Sequence, residues 1–189
     1  MIPRHQAVAS VCALLEEENL AGAADVLRRE YPFTPAETVE RKYGDQEALK
    51  VFLRDGFIDR YSGAPLVFPG VLRVLAMRLP AEFPYHPNWK MTATHMAFWE
   101  LSPTVDHIVP IARGGVDAEP NWVTTSMLRN SAKANWTLEE SGWQLLPPGD
   151  LRVWDGLLAW FRRAIASHPE LLQNSRIAAW HRAALLVAG

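Results

Sequence analysis

Apolar residues recur at helical spacing through residues 3 to 30 (Val8, Val11, Leu14, Leu15, then Ala24, Val26 and Leu27), and Gly22 predicts a break into two short helices. Thr34-Pro35-Ala36-Glu37 has the make-up of a helix start: Thr as N-cap, Pro at the first helical position, and Glu three residues after the cap. Gly44 ends that helix in this reading, and Asp45 caps another that runs through Leu49, Val51 and Phe52 to Gly56. From Phe57 the texture changes. Ile58, Tyr61-Ser62-Gly63 and Pro65 read as a short hairpin or turn, and Pro69 to Leu79 as one further helix. Pro80, Pro84, Pro87 and Pro103, set among five aromatic side chains, predict an ordered but irregular loop over 80–103.

Two strand-like segments follow, Thr104 to Val109 and Asn121 to Thr125, joined by a loop holding Gly114-Gly115. Residues 126 to 136 then read as a helix. After Pro147-Pro148-Gly149, Asp150 caps a helix through Leu151, Trp154, Leu158 and Phe161, and a last helix runs from Glu170 to Val187. The pattern predicts an α+β protein in one compact unit: an N-terminal helical segment (1–56), a core holding both strands (57–146) and a C-terminal helical pair (147–189). Trp154, Trp160 and Trp180 give that pair an apolar face, which packs on the core or pairs with another chain, a protein partner or a second copy.

Composition narrows the function classes. The 189 residues are 49% hydrophobic and 21% charged, which is ordinary for a globular chain and argues against disorder. No apolar stretch approaches the roughly 20 residues that span a bilayer, and Glu16 comes too early for a secretory leader, so a cytoplasmic protein without a membrane partner is expected. The single cysteine, Cys12, excludes an internal disulfide and a Cys-pair zinc ribbon, and reads as a small buried hydrophobe. A net charge of -2 argues against gripping nucleic acid by bulk charge. Local cations must supply phosphate contacts, and Arg113, Arg129 and Lys133 could line such a face.

The chemistry-bearing stretch is Thr104-Val-Asp-His-Ile-Val-Pro-Ile-Ala-Arg-Gly-Gly, followed by Asn121-Trp-Val-Thr-Thr-Ser-Met-Leu-Arg-Asn130-Ser-Ala-Lys133. It puts a carboxylate beside an imidazole on one strand, and Asn130 and Lys133 on one helical face. Phosphodiester hydrolysis needs a water, a group to take its proton, and positive charge against the developing anion. His107 suits the proton-taking role. Asp106 and Asn130 offer two hard oxygens, a set that suits Mg²⁺ or Mn²⁺ with the remaining positions taken by water and substrate phosphate. Neighbours in a strand face opposite ways, so Asp106 and His107 serve one site only near a strand end, and Pro110 supplies the break. Asn121 reads as an orienter of a backbone loop or of the imidazole.

In order and spacing, Asp-His-Ile-Val-Pro, Gly-Gly, Asn and Asn-x-x-Lys resemble the HNH nuclease family in its His-Asn-Asn variant, over residues 57 to 140. The nine residues from Asn121 to Asn130 and three more to Lys133 are similar to the HNH domain of RNA-guided nucleases. The resemblance implies a ββα-metal core acting on DNA, with His107 as general base, Asp106 and Asn130 as metal ligands and Asn121 as the central structural Asn. Lys133 would lie near the scissile phosphate. Many members carry zinc-binding Cys pairs. Here Ser126 and Arg129 stand at the helix positions, so no structural zinc is expected. An RNA-directed or toxin-like nuclease, an inactive HNH fold and a non-cleaving module that holds nucleic acid or protein remain alternatives. His86 and His95 read as loop histidines, and Trp122, Trp136 and Trp143 as packing more than base-stacking residues.

Overall fold

The computed structural model describes residues 2–32 and 43–187 of the chain. These fall into two compact units, divided between Thr38 and Val39. The first is a helix pair, α1 (Arg4–Glu16) and α2 (Leu20–Glu30). The break lies at 17–19 and not at Gly22, because the Asn19 side chain accepts the Gly22 N–H at 2.9 Å and starts α2 ahead of the glycine. Cys12 is exposed, against its sequence reading, since α1 buries only Ala7. The helix start at 34–37 lies outside the described residues.

The second unit carries the strands. Its helices are α3 (Asp45–Arg54), α4 (Pro69–Arg78) and the one-turn α5 (Ala97–Glu100). Then come β1 (Pro103–His107), β2 (Trp122–Ser126), α6 (Met127–Lys133), the one-turn α7 (Leu138–Ser141), α8 (Leu158–Ser167) and α9 (Ser175–Val187). It is mixed α and β, mostly helical, with a two-stranded antiparallel sheet in which Asp106 pairs Val123 and His107 pairs Trp122. No helix among the described residues is long and apolar enough to cross a membrane.

Gly44, not Asp45, is the cap of α3, and the Glu47 carboxylate accepts its N–H at 3.0 Å. Helix α3 buries Ala48, Leu49, Val51 and Phe52, a single face at helical spacing, against α9. The core continues through Phe57, Leu66, Phe68, Phe98, Phe161 and Ile177, all at most 2% exposed. Phe68 sits edge-on to Phe161 and Trp180, at centroid distances of 5.0 and 5.6 Å. Of the apolar face expected on the C-terminal helices, Trp180 is therefore packed on the core and the Trp154 indole donates to the Leu66 carbonyl oxygen at 2.7 Å, while Trp160 stays 37% exposed. Two starts of these helices differ from the sequence reading. Gly156 and Leu157 both take left-handed backbone, which delays α8 to Leu158, while Asp150 closes a local turn on the Arg152 N–H. Residues 169–173 form a tighter 3-10 turn, and Asn174 caps α9 by accepting from Arg176 and Ile177.

The outer edge of β2 is held by side chains. Asp55, fully buried, accepts the Thr124 N–H at 2.7 Å and pairs with Arg54 and Arg60. Asp59 accepts the Ser126 N–H at 3.0 Å. These carboxylates satisfy edge donors that a third strand would otherwise take.

Candidate active site

Strand β1 ends at His107, and the loop after it is pinned by Asn121. Its amide oxygen accepts the Val109 N–H, and its amide nitrogen donates to the carbonyls of Val109 and Val116, each at 2.9 Å. Asn121 thus holds the backbone of the loop and does not touch the imidazole. The Gly-Gly turn has two separate reasons: Gly114 needs its φ of +87°, while a Cβ on Gly115 would lie 1.8 Å from the Val109 carbonyl oxygen.

That loop delivers a residue the sequence reading passed over. Asp117 places Oδ1 2.9 Å from His107 Nε2 and 3.0 Å from the indole nitrogen of Trp122. An ionised carboxylate only accepts, so Nε2 carries the ring proton and donates it to Asp117. The indole N–H, 3.1 Å from Nε2, goes to the same carboxylate, because a protonated Nε2 has no lone pair to receive it. Nδ1 is then the basic nitrogen. Trp122 packs edge-on to Tyr43 at 5.5 Å and serves as a positioning group, not a stacking platform.

Asp106, 6% exposed, is fixed from the other side. Its Oδ2 accepts from the Tyr61 hydroxyl at 2.6 Å and from the Lys133 ammonium at 2.8 Å. Burial, reinforced by the Asp106 charge and hydrogen bond, drives the Tyr61 hydroxyl far above its usual range, so it stays a donor. Lys133 also donates to the His107 carbonyl oxygen at 2.7 Å, and its side chain is 0% exposed. In this arrangement Lys133 orients Asp106 and the end of β1 and does not reach out to a phosphate. Ser126 caps α6 through the Arg129 N–H, which places Asn130 one turn along. The Asn130 amide nitrogen lies 3.5 Å from the Val105 carbonyl oxygen, at the limit of a hydrogen bond.

Asp106, His107 and Asn130 line one pocket of about 340 Å³ at the end of β1 and the start of α6. Being the last strand residue lets His107 share it with its neighbour. The other two expected phosphate cations are engaged elsewhere: Arg113 with Glu140 at 3.2 Å, and Arg129 with Asp59 at 3.6 Å and over the Trp143 ring at 5.0 Å. His95 stacks on Phe83 at 4.3 Å, and His86 accepts the Asn88 N–H. Trp143 packs on Tyr61, and Trp136 is 44% exposed.

No three His, Cys, Asp or Glu side chains among the described residues gather as a metal-ligand group. What the pocket offers instead is one carboxylate, Asp106, and the amides of Asn130 and Asn135. The Tyr61 and Lys133 contacts to Asp106 both fall on Oδ2, so neither engages Oδ1. That donor set fits a small hard cation that keeps most of its water, as Mg²⁺ does. Comparison with protein-family models, curated proteins and solved structures finds no match to this chain.

Proposed function

We propose that this protein is a divalent-metal-dependent endonuclease of the HNH type that hydrolyses DNA phosphodiester bonds. The observation that carries the reading is His107, oriented through Nε2 by Asp117, sharing one pocket with Asp106 and Asn130. The pinned loop, the β1–β2 hairpin and the packing of α6 on both strands support the reading of a ββα-metal core. His107 Nδ1 takes the proton of the attacking water, and Asp117 stabilises the imidazolium that results. Asp106 and Asn130 would hold Mg²⁺ or Mn²⁺, which when bound would supply positive charge against the developing anion. Tyr61 and Lys133 hold the Asp106 carboxylate in place through Oδ2.

A second reading has its own support. Lys133 already neutralises Asp106, and no acidic trio is present among the described residues, which favours a module that holds nucleic acid without cutting it. A panel of supercoiled plasmid, linear duplex, single-stranded DNA and structured RNA, each with Mg²⁺, Mn²⁺ or EDTA, separates the readings. DNA products that vanish with EDTA are expected. Products from RNA alone would move the activity to RNA, and binding without product on every substrate would establish the second reading.

A further inference from the structure

The three cations that the sequence puts near the site are spent on Glu140, Asp59 and Asp106, yet the chain carries net negative charge. A strand of nucleic acid needs positive contacts from somewhere else. One guanidinium stands out. Arg73 sits over the Tyr85 ring with its Cζ 3.6 Å from the centroid and 5.4 Å from that of Phe98, and no carboxylate pairs with it among the described residues. Stacking fixes the plane of the guanidinium while its N–H edge stays unspent, the form in which Arg is best prepared for phosphate.

The position of Arg73 links it to the site. It lines a cleft of about 560 Å³ together with Arg176, and both also line a smaller hollow of about 160 Å³. That hollow shares Met127 with the pocket of Asp106, His107 and Asn130. The three spaces are therefore neighbours: the hollow shares Met127 with the candidate active-site pocket and both arginines with the cleft. Among the described residues Arg176 pairs with one carboxylate, the half-buried Asp45 at 3.3 Å, while its own side chain is 53% exposed, a contact that a phosphate can replace.

We infer that these neighbouring spaces make up one groove, the strand-binding site of the nuclease, with Arg73 and Arg176 holding the sugar-phosphate backbone of the strand that runs on from the cut position. The inference rests on the nuclease reading for its ligand, but its test is a binding measurement that needs no cutting. Anisotropy of a labelled DNA duplex, with Ca²⁺ in place of Mg²⁺, is followed for wild type, Arg73→Gln and Arg73→Lys across a salt series. Arg73→Gln should bind about tenfold more weakly, with a log–log salt slope shallower by about 1, and Arg73→Lys should recover part of the loss. Wild-type folding and unchanged kcat with raised KM in Arg73→Gln would complete the support.

Equal affinity and slope for wild type and Arg73→Gln overturn the groove even if the protein cuts DNA. Arg73-dependent binding by a protein that cuts nothing keeps the groove and removes the nuclease reading. Absence of any binding by wild type overturns both.

Discussion

Asp117 reaches His107 across ten residues of sequence, and this contact decides which ring nitrogen is basic. Replacing it with Ala should lower kcat about 10- to 100-fold with KM little changed, because the imidazole stays but loses its fixed tautomer. Ring ¹⁵N spectra of the neutral imidazole should show protonated Nε2 in wild type and a tautomer mixture in Asp117→Ala. Unchanged kcat with a mixed tautomer would remove Asp117 from the mechanism. Lys133 makes the contrasting case. As the buried partner of Asp106, its change to Met should cost about 3–5 kcal/mol of stability, read from urea unfolding, since it strands a carboxylate. A variant as stable as wild type but weak in DNA binding would restore the phosphate role that spacing assigns to this lysine. His107, Asp106, Asn121 and Asn130 were legible in the sequence because they sit on one hairpin and the helix after it. Tyr61 and Asp117 were not, because the tyrosine comes to Asp106 from 45 residues away and the aspartate sits in a loop whose path only Asn121 defines.

Among the elements, the loop between β1 and β2 sets the site, and its two adjacent glycines should respond differently to substitution. Gly114→Ala strains only the backbone and should cost about 1 kcal/mol, because open space surrounds that Cβ. Gly115→Ala drives a methyl into the Val109 carbonyl and toward the Asn121 amide, so it should displace the loop, cost about 1–3 kcal/mol and lower cleavage sharply. Paired denaturant curves and turnover rates check the ranking, and equal effects at both positions would contradict the clamp. Periodicity locates α3 and α4 because each buries an apolar face of its own, whereas α6 buries only Lys133 and β2 is buried along nearly its whole length. It misplaces the starts of α2, α8 and α9, where side-chain caps and left-handed residues override the pattern. The buried carboxylates of Asp55 and Asp59 at the β2 edge are likewise invisible to it, since an acidic residue next to a helix end reads as surface.

At the scale of the whole molecule, all the candidate site residues lie in the unit from Val39 onward, and α9 closes the core of that unit on α3 and α4. Of the tryptophan-bearing face that the sequence left open between packing and partnership, Trp180 and Trp154 are used inside the chain and Trp160 is exposed. Slight net negative charge joins a site whose nearest cations are all engaged, so affinity for DNA should rest on few contacts and fall with salt. The central claim is that His107 activates water beside a bound metal. Its most direct test is Mg²⁺-dependent nicking of supercoiled plasmid by wild type and His107→Ala, with circular dichroism and DNA binding compared in parallel. Wild type should cleave with Mg²⁺ and not with EDTA, and the variant should fold and bind DNA like wild type while losing at least about a hundredfold in rate. Cleavage by His107→Ala at the wild-type rate would contradict it.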